Sequence, residues 1–191
     1  MKKICFSISV LITFVATAQN NDYLISMKGL GKIHLGMSNT ELEKVLNKKI
    51  VLTKNYLDTL KGYYQDSARI KYKNADVLLE FQRSYFAPDQ FRMRLVGIRS
   101  ASPLYKTTSG IGIGSDRLSI IQEYDNYHTN IHPVYPRSFI KENRNGKSVI
   151  RILDDAASTM DGSDAYTMVF YLMNKKVVSF ELKASLRDER D

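Results

Sequence analysis

The stretch GKIHLGMSNTELEKVL, residues 31–46, contains an alternating strand-like segment, a turn and a helix start in direct succession. Gly36 ends the alternating segment and is typical of a turn. Ser38 and Glu41 have the spacing of a capping box, in which the hydroxyl accepts a bond from an amide near the helix start and the carboxylate reaches back. We therefore predict a strand, a turn and a capped helix here. The apolar face of that helix consists of Leu42, Val45 and Leu46.

A second stretch, SGIGIGSDRLSIIQEY at residues 109–124, has the same order of residue types. When residue 31 is laid over residue 109, Gly36 falls on Gly114 and apolar positions coincide. Asp116 is predicted to cap the second helix, where its negative charge also favours the positive end of the helix dipole. The correspondence predicts an internal duplication. The apolar face of the second helix is predicted to consist of Leu118, Ile121 and Tyr124.

Stretches typical of strands follow each predicted helix, with apolar and polar residues alternating between short polar turns. In the first half these are residues 68–73, 77–82 and 91–95, with a turn at 74–76. In the second half they are residues 148–153, 166–172 and 178–184, with a tight turn at 174–175. We therefore predict an α+β fold made of two tandem helix-then-antiparallel-meander repeats, residues 19–106 and 107–191. The helices are expected to pack on one face of an antiparallel sheet.

The first eighteen residues have the organisation of a removable signal peptide. Lys2 and Lys3 precede a mostly apolar run, residues 4–15, and the small residues 16–18 form a cleavage site. That run is too short to span a bilayer, which needs about 20 apolar residues. We predict export to the periplasm or the cell exterior, with no transmembrane segment in the mature chain; an uncleaved N-terminal helix is the alternative. Cys5 is the only cysteine and leaves with the signal, so the mature chain has neither disulfides nor a lipid anchor.

The phrase LGMSxxEL at residues 35–42 and the phrase TSGIGIGS at residues 108–115 resemble the helix entry of the β-lactamase-inhibitor-protein-like fold. That fold also occurs in small SmpA/OmlA (BamE-type) envelope lipoproteins. The resemblance covers both halves of the mature chain and implies binding to other proteins through the sheet or its loops, with no shared catalytic residue. The chain differs from the lipoprotein members because it lacks their anchoring cysteine.

Basic residues are concentrated in the first half of the mature chain. Residues 19–106 carry fifteen Lys or Arg against eight Asp or Glu, whereas residues 107–191 carry eleven against twelve. Several fall at alternate strand positions and are predicted to share one sheet face with Glu80 and Gln82. Such a face attracts anionic partners, although it also fits a solvated surface. The predicted binding residues of this face are Arg69, Lys71, Arg92 and Arg94.

Aromatic pairs in predicted loops are a second candidate binding feature. Tyr63 and Tyr64 form one pair, and Tyr85 and Phe86 form the other. Loop tyrosines contribute large contact areas at interfaces for a small entropic cost. Packing of these rings against the sheet is an equally good explanation.

No other motif specifies chemistry. Gly110, Gly112 and Gly114 lack the remainder of a phosphate-binding loop. His128 and His132 are spaced as metal ligands on a helix, but Asn130 and Pro133 favour a loop instead. An acidic loop, residues 154–164, could hold calcium or could simply join two strands. We predict no metal, cofactor, catalytic residue or nucleic-acid partner.

The expected function is that of an exported, non-catalytic binding module, with a protein–protein or inhibitor-like role in the bacterial envelope or outside the cell. Its partner is expected to be a protein or an anionic envelope component. The alternative is an envelope hydrolase whose site is assembled only in three dimensions.

Overall fold

A computed structural model of the chain describes residues 21–53, 64–87, 90–133, 147–153 and 165–186. The predicted signal peptide and the acidic loop at 154–164 lie outside the described residues. Three short strands come first: β1 (Ile25–Ser26), β2 (Gly29–Leu30) and β3 (Ile33–His34). The longer elements are α1 (Asn39–Leu46), β4 (Tyr64–Tyr72), β5 (Ala75–Ala87), β6 (Gln90–Ser100), α2 (Arg117–Glu123), β7 (His128–Pro133), β8 (Lys147–Leu153), β9 (Ala165–Met173) and β10 (Lys176–Ser185).

The first predicted helix entry is confirmed. Gly36 takes a positive φ of 90°, and the chain then turns into α1. The Ser38 Oγ accepts a bond from the Glu41 amide at 3.3 Å, and the Ser38 amide donates to Glu41 Oε2 at 2.8 Å. Asn47 closes the helix in the left-handed conformation, with a φ of 48°. Each of these features involves residues close in sequence, which is why the sequence predicts them.

The second helix entry differs from its prediction at the cap. Gly114 has a φ of 87° and Asp116 precedes α2, but the Asp116 side chain makes no capping bond. Its carboxylate lies 2.9 Å from Lys176 Nζ instead. The backbone explains why Asp116 pairs with Lys176 and does not cap α2. The Arg117 amide donates to the Lys175 carbonyl at 2.9 Å, which brings the start of β10 beside the helix.

Seven strands form one antiparallel sheet in the order β4-β5-β6-β10-β9-β8-β7. Strands β4–β6 lie in the predicted first half and β7–β10 in the second. They meet where β6 pairs with β10, from Ser100 opposite Phe180 to Gly97 opposite Lys183. The predicted boundary at residue 106 falls between β6 and α2, and the division into two domains stays a prediction.

Two-residue turns with positive φ at both positions connect β4 to β5 and β9 to β10, as is typical of type I′ hairpins. The predicted turn at Asn174 and Lys175 is confirmed, with φ of 50° and 65°. The earlier turn lies at Lys73 and Asn74 rather than at 74–76, since β5 already begins at Ala75.

One face of the large sheet is buried beneath the small sheet β1–β3, the chain around Tyr105, and the two helices. Tyr105 is fully buried, packs edge-on against Phe180 with ring centroids 6.2 Å apart, and donates from its hydroxyl to the Tyr72 carbonyl at 2.5 Å. Buried side chains from the small sheet join the same core. They are Ile25, Leu30 and Ile33.

The predicted α+β fold of two tandem repeats with helices packed on a sheet is wrong. The described residues form a mostly β structure, in which α1 buries only Leu42 and α2 buries only Ile120. Val45 and Leu118, which were assigned to apolar helix faces, are 39% and 63% exposed. Helices of eight and seven residues complete only about two turns. The small sheet and the Tyr105 segment supply much of the cover that the prediction assigned to helices.

Two further predictions are corrected by the strands. The alternation that begins at Val178 is interrupted by a register shift between Val177 and Ser179, so that Val177 is buried and Val178 is 41% exposed. A bulge places one extra residue in a strand and reverses the alternation on one side of it. His128 and His132 lie in β7 rather than in a loop.

Candidate binding face of the sheet

The face of the seven-stranded sheet opposite the core is called the outer face here, and one row of cross-strand partners defines it. Directly paired residues in antiparallel strands project to the same side of a sheet. The register links one residue from each strand across the whole sheet. In strand order these residues are Arg69, Leu78, Arg99, Glu181, Val169, Arg151 and Asn130.

A buried carboxylate lies at the centre of this row. Glu181 is 1% exposed, and its Oε1 accepts a bond from the Arg99 guanidinium at 2.6 Å. The Tyr171 hydroxyl donates to Glu181 Oε2 at 2.5 Å, and Lys183 Nζ lies 3.3 Å from Oε1. Both carboxylate oxygens are therefore satisfied, which a buried charge requires.

The electrostatics agree with this geometry. Burial raises the pKa of Glu181, but the bonds from Tyr171 and Arg99, with the charges of Lys183 and Arg99, outweigh burial and hold the pKa below its ordinary value. Burial and the bond to Glu181 raise the pKa of Tyr171 to about 12. Burial lowers the pKa of Arg99, but the bond to Glu181 and the charge of Glu181 raise it more, so that the pKa lies above its ordinary value. Glu181 is thus an anion and Tyr171 a neutral donor at ordinary pH.

Arg99 is held on more than one side. Its guanidinium lies 5.7 Å from the centroid of the Tyr171 ring and 4.0 Å from Glu80 Oε1. Glu80 reaches across Gly97, where an added Cβ would come within 2.8 Å of Glu80 Oε2. The side chain of Arg99 is 42% exposed, so a fixed cation reaches the surface of the outer face.

All four predicted basic residues fall at outer-face positions of the register. Arg69 lies opposite Leu78, and Arg94 and Arg92 lie opposite Gln82 and Ser84. Their environments differ. Arg69 is exposed, Arg94 donates from Nε to the Gly36 carbonyl at 3.3 Å, and Lys71 forms a 2.8 Å ion pair with Asp76.

The predicted aromatic loop residues lie elsewhere than expected. Tyr64 is the first residue of β4, and Tyr85 and Phe86 lie within β5. Their assignment to loops is therefore wrong. Tyr63 lies outside the described residues.

Sequence reasoning missed the centre of the face. Glu181 lies between the buried residues Phe180 and Leu182, and the sequence shows this alternation of apolar and polar residues. Nothing local, however, shows that β10 pairs with β6 and so brings Arg99 to Glu181 across 82 positions.

Other candidate sites have simpler explanations. His132 lies four positions after His128 along β7, a span of about 13 Å, which is too long for two ligands of one ion. Gly110 and Gly114 have positive φ and serve turns. Among the described residues, no group of three or more His, Cys, Asp or Glu side chains could hold a metal ion.

Comparisons with protein-family models, with curated proteins and with solved structures found nothing that matches this chain. The resemblance to the β-lactamase-inhibitor-protein-like group therefore stays a prediction. Within the part of the chain that the structure describes, no helix has both the length and the apolar character needed to cross a membrane.

Proposed function

We propose that this protein is an exported, non-catalytic binding module that holds an acidic protein surface against its outer face. The supporting observation is the distribution of charge across that face. Among its positions with described side chains, basic residues outnumber acidic ones eight to three. The acidic residues are Asp76, Glu80 and Glu181. The basic residues are Arg69, Lys71, Arg94, Arg99, Lys147, Arg151, Lys176 and Lys183.

Two exposed arginines of the row carry charges that a partner can neutralise. Arg69 and Arg151 are exposed, and neither forms an ion pair within the described residues. Arg99 lies between them, about 10 Å from Arg69 and about 14 Å from Arg151, since neighbouring strands are about 4.8 Å apart. Three arginines therefore mark a line across the sheet that fits a row of spaced carboxylates.

An apolar side chain between the arginines favours a protein over a simple polyanion. Leu78 is half-buried between Arg69 and Arg99 in the row and leaves part of its surface for a partner. Protein interfaces combine apolar centres with arginine, which is enriched in their energetically dominant positions. Glu181 and Tyr171 fix Arg99 before a partner arrives, which lowers the entropic cost of binding.

Affinity capture from envelope extracts tests this proposal, with protein expressed from the full chain as bait. A double variant, R69E and R151E, should lose the captured partner at least about tenfold, and raising the salt should weaken the wild-type complex. A matched control, K48E and K49E, reverses two exposed charges in the segment that follows α1 and should capture normally.

The proposal fails if the double variant captures the same partner as strongly as the wild type, or if no partner exceeds the empty-matrix control. It also fails if K48E and K49E abolish capture equally, because net charge rather than the outer face would then be responsible. Nothing in the described part of the chain favours the envelope hydrolase over this binding role.

A further inference from the structure

The turn between β9 and β10 lies at one end of the sheet and exposes apolar side chains that are not part of the row of arginines. Met173 ends β9 and is 43% exposed. Val178 is 41% exposed because the register shift beside it turns it away from the core. Between them, Asn174 and Lys175 form a two-residue turn with positive φ.

The first turn of α2 is bonded to this hairpin. The Arg117 amide donates to the Lys175 carbonyl at 2.9 Å, and the Val177 amide donates to the Ser115 carbonyl at 3.0 Å. These bonds bring Leu118, which is 63% exposed, to the same end of the sheet. Three of the seven large apolar side chains exposed among the described residues therefore lie at this end of the sheet. We call Leu118, Met173 and Val178, with the basic residues described next, the hairpin patch.

Basic side chains accompany these apolar residues. Lys147 lies opposite Met173 in the register, and Lys175 and Lys176 form the turn and the start of β10. Arg117 begins α2. The carboxylate of Asp116 lies 2.9 Å from Lys176 Nζ, so Lys176 neutralises it. The patch keeps a clear positive surplus: Arg117, Lys147 and Lys175 form no ion pair within the described residues.

We propose that the hairpin patch docks this protein on an anionic phospholipid surface. Exposed apolar side chains enter the boundary between headgroups and acyl chains, while neighbouring lysines and arginines attract anionic lipids. A stable protein interface needs about 800 Å² from each partner, which three partly exposed side chains at a turn do not supply. On a lipid surface the attraction of anionic lipids for basic residues adds to the burial of apolar side chains, so a small apolar patch gains from the lysines and arginines beside it.

Tryptophan fluorescence gives a direct test, since the chain contains no tryptophan. L118W should shift its emission to the blue when phosphatidylglycerol-containing vesicles are added, and pure phosphatidylcholine vesicles should produce a much smaller shift. V51W places the reporter at another exposed position, 80% exposed in the parent residue, and should not shift. Every variant is made in the full chain, so any contribution from the apolar residues 4–15 is common to all of them.

Vesicle co-flotation separates the two parts of the patch. The charge variant K147Q and K175Q should reduce binding to anionic vesicles about tenfold or more, because each basic residue near such a surface contributes measurably to attraction. The apolar variant L118S, M173S and V178S should also reduce it. K48Q and K49Q form the charge-matched control and should bind as the wild type does.

The proposal is overturned if the wild type does not float with anionic vesicles, if both patch variants float unchanged, or if V51W shifts as L118W does. The outer-face variant R69E and R151E should retain vesicle binding. That result keeps the failure of this proposal distinguishable from failure of the acidic-protein proposal, which is tested at Arg69 and Arg151.

Discussion

At the scale of single residues, Glu181 links Arg99, Tyr171 and Lys183 on the outer face. It is 1% exposed and receives bonds from Arg99 and Tyr171. Removing one partner of a buried charge pair leaves the other uncompensated. Because Arg99 is 42% exposed, water offsets part of that cost.

We expect Glu181→Gln to lower the free energy of unfolding by about 2 kcal/mol near neutral pH, measured by urea denaturation. The control is Arg69→Gln, which removes an exposed charge with no ion pair in the described chain and should change stability by less than about 0.5 kcal/mol. Equal stability of wild type and Glu181→Gln would contradict the assigned network.

We also expect the effect of Glu181→Gln on the free energy of unfolding to depend on pH. The pKa of Glu181 is lower in the folded protein than the ordinary 4.5, so its stabilising effect is present above that value and is lost as the pH falls through the folded pKa. The stability difference between wild type and Glu181→Gln should therefore shrink in acid. Denaturation curves collected from neutral pH downward measure it, and a difference that stays constant would argue against an ionised Glu181.

At the scale of elements, the two helix starts provide a matched comparison. Ser38 makes both bonds of a capping box, whereas Asp116 occupies the equivalent position without a side-chain cap. Ser38→Ala should cost about 1 kcal/mol of unfolding free energy. Asp116→Ala should cost less than about 0.5 kcal/mol, because it loses only an exposed ion pair with Lys176. Thermal or urea denaturation of both variants measures the two losses. A larger loss for Asp116→Ala than for Ser38→Ala would show that Asp116 is the stronger cap.

Element prediction succeeded where neighbouring residues decide the outcome. The turn at Asn174 and Lys175 was predicted correctly, since two residues in the left-handed region suffice to close a hairpin. The position of Val178 was predicted incorrectly, because a bulge depends on how β10 pairs with its neighbour. Leu118 was assigned to a buried helix face for a similar reason: periodicity identifies an apolar stripe but not whether anything covers it.

At the scale of the whole molecule, the pairing of β6 with β10 joins the two parts of the sheet. Phe180 lies opposite Ser100 at this junction, is fully buried and packs against Tyr105. Phe180→Ala should lower the free energy of unfolding by about 3–5 kcal/mol, because it removes a large core side chain and leaves a cavity.

Hydrogen exchange should show this loss on both sides of the junction. Amide protection in β5 and in β9 should fall together, since one continuous sheet opens as a cooperative unit. If only β9 loses protection, the parts on either side of the junction unfold independently. The exposed variant Ser185→Ala, on the other face of β10, is the control and should leave protection in β5 unchanged.

The sequence by itself determined the local features of this protein: the capped helix start at Ser38, the hairpin turn at residues 174–175, and the alternation of the longer strands. Each depends on bonds or side-chain directions within a few residues. Only the tertiary structure decided that short strands and the Tyr105 segment cover much of the core, and that Arg99 meets Glu181. Those outcomes depend on pairing between distant strands, whose free energy is set by burial of the whole face rather than by any local pattern.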